Sequence, residues 1–478
     1  MSKSRFHMQK GTCEVNDTAL LFDVEDERLA RPARSVPAPV VGASETDLTP
    51  VAGVALWGPL LDRLNVVAEA DRRGLRPIGP GGYGGGECYR TLIEICLAGG
   101  DFLADRSLLA DPATAALRGS NRLPSVPTLW RFLAGADLGR VAKAAAVNRT
   151  MLRRAWAAGA APEGDRLTID PDATRVAVYG PGKQGSAFAR TGQTALSPLV
   201  GVVGETGDVL ALRARGGAAN DGRAMGSFID ECVAAVPAGA RKMYRLWIRV
   251  DSAGYQDQVL NAAERHDADF TVTAKQYVPV ADRIHALAAD PDTAWTTALG
   301  RETQAGSEIA ETTTTLLGRR LRLIVRRQPR AAGAQLAFDD LDGWRLHAII
   351  TNIDPTRMSA AEVEAHHRLR GGVPEDTIRA LKNDFGMNHA PVQPFFGNWL
   401  YWQAVALAHN VGLWLRTLAL PTTYRRARGK RLRLGFLNVA ARLIRHGRRL
   451  HLRFGAAYRH LQAFAQALDR LRVLPAFG

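Results

Sequence analysis

The sequence is short of several things, and each shortage removes a class of protein. Its 478 residues hold four cysteines, Cys13, Cys88, Cys96 and Cys232, at unrelated spacings and with no CxxC pair. That excludes a disulfide framework and a structural zinc site, and it fits a reducing, cytoplasmic setting. No long apolar run is uninterrupted: the longest, Ala404 to Leu420, is broken by His409, Asn410 and Arg416. It reads as a buried helix and not as a membrane span. The opening segment MSKSRFHMQKGTCEVND is basic with no apolar stretch behind it, so no secretory signal is expected. Collagen-like, coiled-coil and mucin-like compositions are missing too. Hydrophobic residues make up 46% and charged residues 23%, the balance of an ordinary globular chain with a large core.

Acid is scarce in one place above all. Between residues 421 and 478, 14 lysines and arginines stand against a single acid, Asp469, in a chain whose net charge is +15. Nearly all the excess charge sits in that tail, and a polyanionic partner is expected.

What is present divides the chain into six stretches. Residues 1–50 mix charge with Pro and Ser and read as a loosely ordered arm. Residues 51–160 read as helical. Val54 to Arg73 has helical apolar spacing, a second helix starts at DFLADRSLL, and Ser125-Val-Pro-Thr128 looks like a cap and first turn. The pattern resembles a helix-turn-helix DNA-binding module, and a generic helical bundle would read the same way. The glycine-rich Gly79 to Gly84 formally matches GxGxxG but follows a helix, so the dinucleotide reading is rejected for an inter-helix loop.

From Arg166 the period changes. Three strands in a meander are followed by alternating helix and strand through Lys275, which is the order of a ribonuclease H-like core (161–285). A β-rich stretch, 286–356, interrupts that core before its last part, 357–420, and 421–478 form a basic helical tail. The expected class is therefore α/β.

Two carboxylates stand at the ends of predicted strands: Asp172 in IDPDAT and Asp251 in WIRVDSAGY. A third, Glu375, opens a helix 124 positions after Asp251. In such a core the first strand, the fourth strand and the last helix converge at one edge, where three carboxylates can hold Mg²⁺ with its preference for oxygen ligands. Paired metals can then activate the attacking oxygen and stabilise the leaving one in phosphodiester displacement. Singly, each residue also has a structural reading. Asp172 can form a turn, Asp251 can cap the helix that follows, and Glu375 can favour a helix N-terminus.

The chain resembles the DDE transposases of bacterial insertion sequences, in the group 1 DDE family. The resemblance is carried by Leu97-Ala-Gly-Gly-Asp-Phe-Leu-Ala-Asp105, Ser125-Val-Pro-Thr128, Ile169-Asp-Pro-Asp-Ala-Thr174 and Arg249-Val-Asp-Ser252. Thr351-Asn352, Glu375-Asp-Thr-Ile-Arg-Ala-Leu-Lys382 and the Asn398 to Arg416 helix complete it. It implies that Asp172, Asp251 and Glu375 form the acidic triad, with Asp170 as the second choice for the first position. Asp172 is preferred because the family's strand delivers Asp-x-Thr. Lys382 would match the family's phosphate-contacting lysine, and Arg379 shares its helix face. One departure is the Gly371-Gly372-Val-Pro374 break between Arg370 and Glu375, which puts the arginine's expected DNA role in question.

Further DNA contacts are expected from Arg425, Arg426, Arg428, Lys430 and Arg431 in the tail. Trp295 and Trp344 lie in the β-rich stretch and receive no role. The function implied is metal-dependent cutting at transposon ends and joining of the 3′-OH to target DNA, with Mg²⁺ or Mn²⁺. The expected partners are the terminal inverted repeats and target duplex, bound by a homodimer, without a membrane and near the bacterial nucleoid. The alternative is a catalytically inactive or domesticated DNA-binding derivative.

Overall fold

The computed structural model describes residues 46–75, 82–119, 122–180, 182–188, 192–300, 304–330, 340–341, 343–447 and 449–477. Most of the expected N-terminal arm and part of the glycine-rich break at 79–84 lie outside these residues. Among the described residues, no helix is long and apolar enough to cross a membrane.

One large mixed sheet organises the chain. We label its main strands β1 (Arg166–Ala173), β2 (Leu199–Val203), β3 (Val209–Arg213), β4 (Arg245–Val250), β5 (Asp269–Thr273), β6 (Glu308–Leu316), β7 (Arg319–Pro329) and β8 (Trp344–Thr351). Their spatial order is β6-β7-β8-β5-β4-β1-β2-β3, with the short Thr296–Thr297 beyond β6. β1 runs antiparallel to β2 and parallel to β4, and β4 runs parallel to β5. The stretch read as β-rich does form strands. They continue the same sheet, because β8 pairs antiparallel with β5 at Ile349 to Thr351.

The strands form where the sequence is densest in branched apolar residues. β2, LVGVV, is buried throughout, as suits a strand covered on both faces. The long helix Phe395–Trp414 is almost wholly buried and packs against Gly85–Leu97 and Leu138–Ala155. It is fastened to β3 by a buried amide: Asn410 accepts from the Val209 N–H at 2.8 Å and donates to the Val209 carbonyl at 3.0 Å. The apolar run that could have been mistaken for a span is therefore the central core helix.

Three readings need correction. Val54 to Arg73 is two helices, Val54–Arg63 and Val66–Arg72, parted at Asn65 with φ 56°, a left-handed turn that asparagine tolerates. The segment DFLADRSLL makes a tight 3-10 helix, Leu103–Leu109. The basic tail is not helical throughout: Ala441–His446 and Arg449–Phe454 form a hairpin that also pairs with Leu48–Thr49. Its second strand, Arg-Leu-His-Leu-Arg-Phe, alternates strictly, and Gly447 takes φ 54° at the turn. The period of two prevails over the looser helical spacing because it lays Leu450, Leu452 and Phe454 on one face.

Candidate active site

Asp172 and Asp251 reach the same end of the sheet by register. β1 pairs with β4 only as far as Ile169 against Ile248, and Pro171, with no N–H to donate, follows. Asp172 therefore stands beyond the last residue matched to β4, and Asp251 comes directly after β4 ends. The structural reading of Asp251 is realised as well, since its Oδ1 accepts from the Ala253 N–H at 2.9 Å and caps the turn Ser252–Gly254.

Arg370 joins them. It lies in a 3-10 turn, Leu369–Gly371, after the helix Ala360–Arg368. Gly372, at φ −100° and ψ −107°, breaks the chain before the helix Val373–Asn383 begins. The Nη2 of Arg370 is 3.0 Å from Oδ2 of Asp172 and 3.3 Å from Oδ2 of Asp251. Burial pushes the Asp172 carboxyl up to about 6, with Arg370 drawing it down and Asp251 pushing it up. Two carboxylates thus converge on one cationic nitrogen.

Glu375 lies in the first turn of Val373–Asn383, is exposed, and shares a cavity of about 870 Å³ with Asp172, Thr174, Arg379 and Lys382. The half-buried Lys382 donates from Nζ to the Arg175 carbonyl at 2.8 Å, and burial lowers its pKa. Arg379 pairs with Asp376 at 2.6 Å and is half exposed. In the tail, Arg425 pairs with Glu163 at 3.3 Å and Arg428 with Asp376 at 3.5 Å. Arg426, Lys430 and Arg431 are exposed.

Asp170 has a different place. It is buried and held by Arg249 through two bonds, Nε to Oδ1 at 2.7 Å and Nη2 to Oδ2 at 2.8 Å. Burial raises its pKa against the pull of Arg249. Arg249 is a functional neighbour that the sequence patterns do not assign. The signal was there, since an arginine inside the apolar strand Arg245–Val250 requires a buried acid on a neighbouring strand.

The donor chemistry fits a hard divalent cation. The acids are oxygen ligands, and burial raises the Asp172 carboxyl in a site where added positive charge would favour its ionised form. Among the described residues, however, no three of His, Cys, Asp and Glu are gathered closely enough to hold an ion as they stand. Arg370 supplies the positive charge between two of them.

The family model described as "Transposase DDE domain group 1" matches residues 89–476. No curated protein matches the sequence. Among solved structures the chain is similar to a piggyBac transposase in a synaptic complex with hairpin DNA. The identity is 11% and the TM-score 0.40, with 75% of this chain and 74% of that one covered.

Proposed function

The chain belongs to the group 1 DDE transposase family, and from that premise we propose that it cuts DNA at transposon ends and joins the freed 3′-OH ends to target DNA. The observation that carries this reading is the arrangement of the three expected acids: Asp172 and Asp251 lie on one guanidinium, Asp172 and Glu375 on one cavity. The strand order β3-β2-β1-β4-β5, with β2 alone antiparallel to β1, supports a ribonuclease H-like core. On that reading the strands β6 to β8 are an insertion that extends its sheet.

Asp172, Asp251 and Glu375 would hold the metal, with Arg370 withdrawing from the two aspartates as it binds. Bound Mg²⁺, or Mn²⁺ in its stead, supplies Lewis-acid stabilisation of the attacking and leaving oxygens at the phosphodiester. Lys382 and Arg379, on the wall of the same cavity, hold the backbone of the cut strand. The exposed tail cations Arg426, Lys430 and Arg431 add sequence-tolerant phosphate contacts, with Arg425 and Arg428 beside them. No protein nucleophile is called for. A homodimer would bring two transposon ends to one complex.

The alternative, a DNA-binding derivative without catalysis, draws on one observation: Arg370 already fills the cationic position. A supercoiled plasmid carrying the gene with its flanking DNA separates the two. Inverted repeats bounded by a short duplication, and Mn²⁺-dependent breaks at them, support the transposase. Binding without breaks supports the derivative.

A further inference from the structure

A second polar cavity, of about 430 Å³, opens beside the carboxylates, lined among others by Ser252, Lys275, Arg326, Arg345 and His347. Ser252 directly follows Asp251, and Lys275 lies just past the end of β5, the parallel neighbour of β4. The cavity is therefore at the same end of the sheet as Asp172 and Asp251. Its far wall comes from β7 and β8, the strands that extend the sheet.

The charge is one-sided. The lining holds Lys275, Arg326 and Arg345 and no carboxylate. Arg326 pairs through Nη1 with the buried Glu364 at 3.0 Å, which fixes its guanidinium in place. Two lining residues each carry a buried polar atom with no hydrogen-bond partner among the described residues: Arg326 Nε and His347 Nδ1. Such atoms cost free energy until an acceptor or donor meets them. His347, lowered to about 4 chiefly by burial and further by Arg326, Arg368 and Arg345, stays neutral, so its ring can donate without adding a buried charge. Lys275 lies 5.8 Å from the ring of the exposed Tyr277.

We infer that this cavity is a phosphate subsite, in which Lys275, Arg326, Arg345 and His347 hold a backbone phosphodiester of the DNA strand that runs past the acidic edge. The inference rests on the transposase reading and adds a part to it: the extending strands β7 and β8 serve as a clamp on the DNA backbone. A phosphodiester suits the lining because it is anionic and offers several acceptor oxygens to donors from three neighbouring strands.

The test uses the full chain and a labelled nicked duplex, titrated at several salt concentrations. Lys275→Ala combined with Arg345→Ala, two residues outside the buried core, should weaken binding about tenfold and lower the salt slope by about one. Arg241→Ala with Lys242→Ala, at the other end of β4, should change neither, and matching thermal unfolding of both pairs checks the fold. If the first pair binds as wild type does, the subsite is overturned and the transposase reading stands. If the wild-type chain binds no DNA, both fall. If inorganic phosphate alone stabilises wild type and not the Lys275/Arg345 variant, while DNA affinity is unchanged, the cavity takes a free anion and the DNA assignment is overturned.

Discussion

The Nη2 of Arg370 sits 3.0 Å from Oδ2 of Asp172. The same nitrogen also touches Asp251 at 3.3 Å, so on the proposed reading a divalent ion would compete with this arginine for the same two carboxylates. Arg370→Gln should lower metal-free stability by about 1 to 3 kcal/mol, since a charge-assisted contact is lost and the acids are left facing each other. Mn²⁺ should then raise the unfolding temperature of the variant by more than that of wild type. Calorimetry with and without Mn²⁺ reads this out, and equal shifts would mean that the arginine and the metal do not compete.

Asp170 and Asp172 are two residues apart and should behave oppositely. Asp170→Ala leaves the buried Arg249 unpaired, which costs about 3 to 5 kcal/mol. Asp172→Ala should cost less, because Arg370 keeps its contact with Asp251, and should abolish metal-induced stabilisation. Denaturant unfolding of the two variants distinguishes them. If Asp172→Ala is as destabilised as Asp170→Ala, the roles given to the pair are wrong.

Much of the sheet was legible in sequence because its strands are apolar runs bounded by turns. Leu199 to Val203 and Arg245 to Val250 could hardly be anything else. The choice of Asp172 over Asp170 rested on the Asp-x-Thr pattern; the independent reason, Arg249 beside Asp170, needed the β1–β4 register. Two features were out of reach. The contact of Arg370 with Asp172 spans 198 positions and depends on the turn at Gly372. The hairpin Ala441 to Phe454 carries apolar residues whose looser helical spacing competes with the strict alternation of its second strand, and the full-length pairing of the two strands favours the alternation.

That hairpin changes how the tail should be tested. Phe436, Phe464 and Leu471 are buried, so truncation at Pro421 would remove part of the core along with the charge. Arg449 and Arg453 are exposed, lie on one face, and stand opposite His446 and Arg442. Arg442 is already paired with Asp47 at 2.5 Å, whereas the two exposed guanidiniums of Arg449 and Arg453 on one face suit neighbouring phosphates. Arg449→Ala with Arg453→Ala should reduce the salt slope of DNA binding by about two at unchanged thermal stability. An unchanged slope would assign the hairpin to packing.

Lys382 should act on DNA and not on the metal. Its Nζ rests on the Arg175 carbonyl, and seven residues from Glu375 put it roughly 10 Å along the helix axis. Lys382→Ala should weaken binding of nicked end DNA and slow cleavage, with the Mn²⁺ concentration dependence little altered. Lys382→Arg should keep part of the activity, because a phosphate contact needs charge more than shape. A marked change in metal requirement at constant DNA affinity would place Lys382 beside the acids instead.

The central claim, that Asp172, Asp251 and Glu375 act together on a metal to break DNA, is tested most directly by strand cleavage. The substrate is a supercoiled plasmid bearing the gene's own flanking DNA, incubated with Mn²⁺ and wild type or the alanine variant at each acid. Expected are breaks at the element ends with wild type, loss of cleavage by at least about a hundredfold in each variant, and DNA affinity unchanged throughout. Cleavage by the variants at the wild-type rate would contradict it, and so would intact plasmid after incubation of DNA-bound wild type with Mn²⁺.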